Sequence, residues 1–273
     1  MIYGFFSITG LFFRFFSFFQ EGLMKLLESI KKDFNTMTWV LIPVAIAINV
    51  VIGQIVVLLK LPVFLDSIGT MLVAVVCGPW AGALTGTLSN IIWGLAIDPS
   101  AFPWFPVALF IGFVTGWCAQ GGLFRNTWKV AITGFIVALT AAAVSTPISV
   151  YLYGGITASG SSIITAYLLQ TGRDLLTSVL STNFLVEPVD KISTAFLAFA
   201  ILRGLSARYL ARFPRAGNAT PEKDDRRALF IGVGIFVVLA ILVANLINPA
   251  FLWIGLGVAV VVIGVGLLSS RIR

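Results

Sequence analysis

No histidine occurs anywhere in the 273 residues. A Ser–His–Asp or Cys–His nucleophile, a histidine metal site and histidine ligation of haem are therefore excluded. Cysteine is nearly as scarce. Cys77 and Cys118 both lie inside apolar runs, where a thiol packs as a small hydrophobe and a disulfide is not expected. Charged side chains make up only 11% of the chain, against roughly 25% in a soluble domain. There is no G-x-x-x-x-G-K-[ST] segment, so any uphill transport must draw on an ion gradient or on another protein.

What is present is apolar. Hydrophobic residues reach 59% and the mean hydropathy is +1.02. A soluble enzyme, a disordered scaffold and a nucleic-acid-binding domain are excluded by these values, despite a net charge of +7. In so apolar a chain, Lys and Arg mark cytoplasmic loops beside a lipid bilayer rather than a nucleic-acid footprint. The composition predicts an all-α polytopic membrane protein.

Residues 1–37 form a lead-in. Its first 23 residues carry eight Phe between Phe5 and Phe19. They read either as an interfacial helix or as upstream DNA translated from a misassigned start, with Met24 the true initiator. The first span is expected at Trp39–Leu59, about 31 Å as a helix. The apolar stretch 67–97 is long for one span, and Gly78-Pro79 predicts two short spans with a turn between them. Further spans are expected at Trp104–Gln120, Val130–Tyr153, Val189–Leu205, Leu229–Leu246 and Phe251–Leu268. Segment 154–188 reads as a Gly/Ser loop followed by an outer, surface-lying or partly re-entrant helix, because Arg173, Asp174 and Glu187 oppose a lipid-facing span. Residues 207–228 read as a basic, solvated cytoplasmic linker.

With that arrangement, fourteen Lys/Arg fall inside and only Lys60, Arg173 and Lys191 outside, Arg14 being unassigned. The positive-inside rule then gives about eight spans with both termini cytoplasmic: a six-span body at 38–206 and a two-span hairpin at 229–273.

Small residues recur every fourth position. Gly78, Gly82, Gly86, Asn90 and Gly94 form one ladder, Gly112, Gly116 and Gln120 a second, and Ala45, Asn49 and Gly53 a weaker third. Such ridges let membrane helices approach closely, and a buried amide among them needs a partner from a neighbouring helix or a ligand. Polar and aromatic residues gather on the expected outer side: Asp66, Asp98, Trp104, Tyr151, Tyr153, Arg173, Asp174, Asn183 and Glu187. An interfacial aromatic belt accounts for some of these, and Arg173-Asp174 also reads as a helix cap.

The run Leu65-Asp66-Ser67-Ile68-Gly69-Thr70, then Gly78-Pro79-Trp80-Ala81-Gly82-Ala83-Leu84-Thr85-Gly86, then Asn90, resembles the substrate-binding S components of energy-coupling factor (ECF) transporters. The likeness covers roughly residues 37–210. It implies a six-span bundle with cytoplasmic termini and an outward pocket closed by the loop after span one. It also implies a vitamin-like small-molecule substrate, a transmembrane coupling protein and two ABC-type ATPase subunits, with no cofactor and no enzymatic activity. Carried over by position, Asp66 belongs to the gate loop, and Asn90 with Trp93 lines the pocket. Asp98, Trp104 and Tyr151 add outer contacts, and Arg173, Asp174 and Asn183 come from the last outer segment. Ala45, Asn49 and Gly53 fall on the partner-docking face, although Asn49 stands where the family pattern A-x-x-x-A has its second alanine. The last two spans match no part of the family.

Three other classes stay open at this level: a ligand-sensing or accessory membrane module, a gradient-driven secondary transporter, and an intramembrane enzyme. The transporter class normally shows ionisable residues at span centres, and the expected spans contain none at theirs.

Overall fold

The computed structural model describes residues 3–218 and, beyond them, Gly234 alone. The hairpin expected at 229–273 lies outside the described residues, as does the second half of the linker. Described residues form α1 (Tyr3–Asp33), α2 (Thr36–Leu58), α3 (Ile68–Cys77), α4 (Pro79–Ala96), a 3-10 turn (Pro99–Trp104), α5 (Phe105–Gln120), α6 (Thr127–Tyr153), α7 (Ser162–Gln170), α8 (Leu175–Gly204) and α9 (Ala207–Leu210). The architecture is all-helical, and no strand occurs among the described residues. Among the described residues, three stretches are long and apolar enough to cross a membrane: Thr36–Leu58, Pro99–Gln120 and Thr127–Tyr153. The fold and composition together define a membrane protein.

Local chemistry sets the helix limits. Asn35 and Thr38 form a reciprocal capping box at the start of α2. Between α3 and α4, Gly78 takes a φ of 120° and Pro79 occupies the first helical position, where its missing N–H costs nothing. The turn expected at Gly78-Pro79 is therefore present. Its first arm, however, has ten residues, about 15 Å of helix, and every one is buried. α3 is a half-length core helix wrapped by the others, not a lipid-facing span.

The glycine ladders are packing devices. A Cβ on Gly82 would press on the Gly112 backbone, one on Gly86 on the Ala108 carbonyl, and one on Gly116 on Pro79. α4 and α5 therefore meet backbone to backbone, as small residues at four-residue spacing permit.

Asn49 fastens the core. Its Nδ2 donates to Thr70 Oγ1 (2.8 Å) and Ser89 Oγ (2.9 Å), and its Oδ1 accepts the Gly69 amide at 2.7 Å. That amide is one of the orphan donors of α3, whose own N-cap Ser67 makes no side-chain capping bond and donates its hydroxyl to Asp66 Oδ1 instead. One amide side chain thus joins α2, α3 and α4.

Two expectations are corrected. The span expected at Val189–Leu205 is part of a longer helix: α8 starts at Leu175 and runs 30 residues through Glu187, Pro188, Asp190 and Lys191. Glu187, one of the charges that opposed a lipid-facing span, is buried inside the bundle, and Lys191, buried and bonded to Asp190, is no outer-loop charge. Within segment 154–174 the expected loop is followed by a helix, the short α7, while residues from Leu175 on, Glu187 among them, belong to α8.

Nor is residue range 207–218 a solvated linker. Leu210 and Phe213 are buried. Arg215 donates from Nε and Nη2 to Asp33 Oδ1 (3.1 and 2.9 Å), while its backbone N–H donates to the Val76 carbonyl at 2.8 Å. Asn218 Nδ2 reaches the Val75 carbonyl, and Asp33 Oδ2 accepts the Trp80 amide at 3.0 Å. The free carbonyls ending α3 and a free amide starting α4 are satisfied by this returning segment and by Asp33. Burial pushes the Asp33 carboxyl above its ordinary range, against the lowering effect of the Trp80 amide and the Arg215 guanidinium.

Candidate binding cavity

At the other end of α3, the chain from Leu59 to Ser67 crosses the bundle as a strap. Lys60 and Leu65 hold left-handed backbone angles (φ 53° and 51°), uncommon for residues with side chains. The strap is held there. Asp190 Oδ1 accepts the amides of Phe64 and Leu65, both at 2.8 Å. Lys60 Nζ donates to the Ala158 carbonyl at 3.0 Å, and Gly160 lies against the Lys60 and Leu61 carbonyls with no room for a Cβ. The strap and the 154–161 loop therefore touch.

Beneath them is an open-mouthed cavity of about 120 Å³. Its apolar wall comes from Val107, Ala108 and Ile111 of α5 with Val57 and Phe64. The aromatic wall is Trp104 stacked on Tyr153, with ring centroids 5.4 Å apart and planes within 11°. Tyr153 Oη donates to the Ser100 carbonyl at 2.6 Å, and Asp98 accepts the Ser100 amide at 2.9 Å, so the 3-10 turn is locked to α6. Trp93 donates its indole N–H to Gln54 at 2.9 Å. Asn183 reaches Thr146 Oγ1 (3.0 Å) and Ser145 Oγ (3.3 Å), bridging α8 to α6.

A charge cluster borders the cavity. Lys191 Nζ donates to Asp190 Oδ2 and stands 3.7 Å from Glu187 Oε2 and 3.9 Å from Asp66 Oδ1. It also lies over the Phe64 ring, 5.5 Å from the centroid. Asp190 is spent on three donors. Glu187 is 3% exposed, and its Oε2 accepts no hydrogen bond among the described residues. Buried polar atoms are rarely left so.

Six of the residues singled out in the sequence line this cavity: Asp66, Asn90, Trp93, Asp98, Trp104 and Asn183. Three do not. Tyr151 is 85% exposed, on the outer side of α6, and Tyr153 two residues on faces the cavity instead. Arg173 and Asp174 are exposed at the turn before α8. Asp174 caps α8 by accepting the Thr177 amide at 2.9 Å, which holds its carboxyl below the ordinary range. The expected docking face is also turned inward. Ala45 and Asn49 are buried against α3, and a Cβ on Gly53 would overlap the Trp93 ring, so Gly53 is the seat for that indole. The outward face of α2 carries Val40, Val44, Val51, Ile55 and Leu58.

Sequence reasoning named Glu187 and Tyr153 on the outer side and Lys191 as an outer charge without placing them in the site, and missed Asp190, Ser145 and Ser149. A signal was there: Asn183, Glu187 and Lys191 recur at four-residue spacing, which puts them on one helix face. Glu187 and Asp190 are also buried at the middle of α8, whereas the span expected from Val189 put them at or before its start. No group of three or more metal-ligating side chains occurs among the described residues. No protein-family model matches the chain, and no curated protein or solved structure gives a significant match.

Proposed function

We propose that the chain is the substrate-capture subunit of an ECF-type importer in a bacterial plasma membrane. In this reading it takes a vitamin-like micronutrient from outside and hands it on with a transmembrane coupling protein and two ABC-type ATPases. The body is a six-span bundle with cytoplasmic termini, followed by a two-span hairpin. The observation that carries the reading is the strap after α2, pinned by Asp190 over a cavity with an apolar wall, an aromatic stack and a polar border. That is the form of a site that closes over a small solute. Without a P-loop, the chain needs ATPases supplied by others. A coupling protein that meets α2 does so on Val40, Val44, Val51 and Ile55, since Ala45, Asn49 and Gly53 are occupied within the chain.

The test is purification of the full chain from its native membranes with mass spectrometry of what accompanies it. A coupling protein and ATPase subunits in defined ratio are expected. Their absence from intact, folded preparations would overturn the reading.

A gradient-driven carrier is the second reading, favoured by the buried Glu187–Asp190–Lys191 cluster, because ionisable groups inside a bundle mark ion and proton pathways. Uptake by liposomes holding this chain alone, driven by an imposed proton or sodium gradient, would select it over the first.

A further inference from the structure

The cavity border is unbalanced in charge. Asp66, Asp98 and Glu187 line it directly, and among its lining residues the only base is Lys191. Lys191 is already committed, since it donates to Asp190 and packs on Phe64. The Asp190–Lys191 pair cancels itself. Asp66 and Glu187 then share only the longer approaches of Lys191, at 3.9 and 3.7 Å, with Asp66 also accepting the Ser67 hydroxyl, and Asp98 has no cation within salt-bridge distance among the described residues, so three carboxylates at the cavity share one base. Glu187 is the clearest case: its side chain is almost wholly buried, its Oε2 accepts nothing, and it borders the empty space. Across the cavity, Trp104 and Tyr153 present a stacked pair of rings, and Trp93 lies in the wall. Buried acceptors call for a donor, carboxylates for a positive one, and aromatic faces favour both flat rings and cations.

We propose that the ligand of this cavity is a flat organic cation, an aromatic or heteroaromatic ring bearing a protonated nitrogen. Its N–H groups donate to Glu187 and Asp66, and its ring packs against Trp104. An anion would meet three carboxylates and no free base. A neutral ring could donate an N–H to Glu187 Oε2 but would leave the surplus negative charge of the cavity uncompensated.

The inference rests on the capture-subunit reading only in treating the cavity as the substrate site, and it is tested on the isolated protein. Three probes of one shape and different charge separate the cases: benzamidine (cation), benzamide (neutral) and benzoate (anion). Each is titrated against the full chain in detergent and followed by calorimetry. Benzamidine is expected to bind at least about tenfold more tightly than benzamide, the factor for one charge-assisted hydrogen bond, and benzoate not to compete. Glu187→Gln, which keeps size and packing, is expected to erase that tenfold preference. Asp98→Asn, which keeps the cap on the Ser100 amide, lies at the half-buried rim and is expected to reduce the preference in a protein whose core is untouched. Equal binding of benzamidine and benzamide, tighter binding of benzoate, or no benzamidine binding up to about 10 mM would each overturn the inference. Cation preference without any ATPase partner would instead overturn the capture-subunit reading and leave this one standing.

Discussion

Asp190, deep in α8, accepts the backbone amide of Phe64, 126 residues earlier, at 2.8 Å. The same oxygen takes the Leu65 amide, so the strap over the cavity is fixed by one carboxylate whose other oxygen holds Lys191. Asp190→Ala should leave two amides unmet and Lys191 with only the longer approaches of Glu187 and Asp66, and cost about 3–5 kcal/mol, the usual penalty for breaking a buried ion pair from one side. Asp190→Asn, still able to accept an amide, should cost less. Thermal unfolding of the purified variants in detergent checks the order. Equal, small effects would mean that the strap is held by something else.

Asn49 and Asn90 separate structure from site. Asn49 uses its donors and acceptor on three core partners, whereas Asn90 borders the cavity with no side-chain hydrogen bond among the described residues. Asn49→Leu should therefore lower stability by about 3 kcal/mol, because the Gly69 amide is left buried and unmet. Asn90→Leu should change stability by less than about 1 kcal/mol. Melting curves of the two variants side by side are sufficient, and the reverse order would contradict both assignments.

Backbone contact between α4 and α5 predicts a sharp contrast among glycines. Gly112→Ala drives a methyl into the Gly82 backbone and should cost about 3 kcal/mol or prevent folding, since overpacking of this kind has no flexible side chain to absorb it. Gly22→Ala, in α1 with open space around it, should be neutral or stabilising by about 0.5–1 kcal/mol. Yield of monodisperse protein and melting temperature read both.

These contrasts show what was legible in the sequence. The Gly78-Pro79 turn and the ladders were readable because glycine spacing and a proline impose geometry through the backbone alone. Asp66, Asp98 and Trp104 were readable as cavity residues because each sits at or near the end of an apolar run, and Asn90 because an amide within a ladder of small residues calls for a partner. Glu187, Asp190 and Lys191 were not: a charge inside an apolar stretch looks like a break until its partners, 125 residues away in the strap, are known. Tyr151 and Tyr153 differ only by two positions on a helix, about 200° of rotation, and the rotation of α6 is set by packing against α8. The docking residues failed for the same reason, because which face of α2 turns inward depends on where Asn49 finds its bonds.

The clasp between Asp33 and Arg215 predicts a pH dependence. Arg215→Ala strips the buried carboxylate of its cation and should cost about 2–5 kcal/mol near neutral pH. Because burial raises the folded-state pKa of Asp33 above its ordinary value, the folded protein binds that proton more tightly than the unfolded chain does. Its contribution is thus full below the ordinary carboxylate value and is lost as pH rises through the raised one. Wild-type stability relative to Asp33→Asn should fall across that acid window and then level off. Melting temperatures of both proteins from pH 3 to pH 8 check it; a difference that grows with pH would contradict it.

The central claim, that the strap-covered cavity holds the transported solute, is tested most directly by asking what stays bound there. Wild type, Asn90→Leu and Asp66→Ala are purified from the native membrane, and their small-molecule content is compared by native mass spectrometry. One compound retained by the wild type in near-stoichiometric amount, and lost from both folded variants, is the predicted result. The same compound retained equally by all three would place the binding site elsewhere in the molecule.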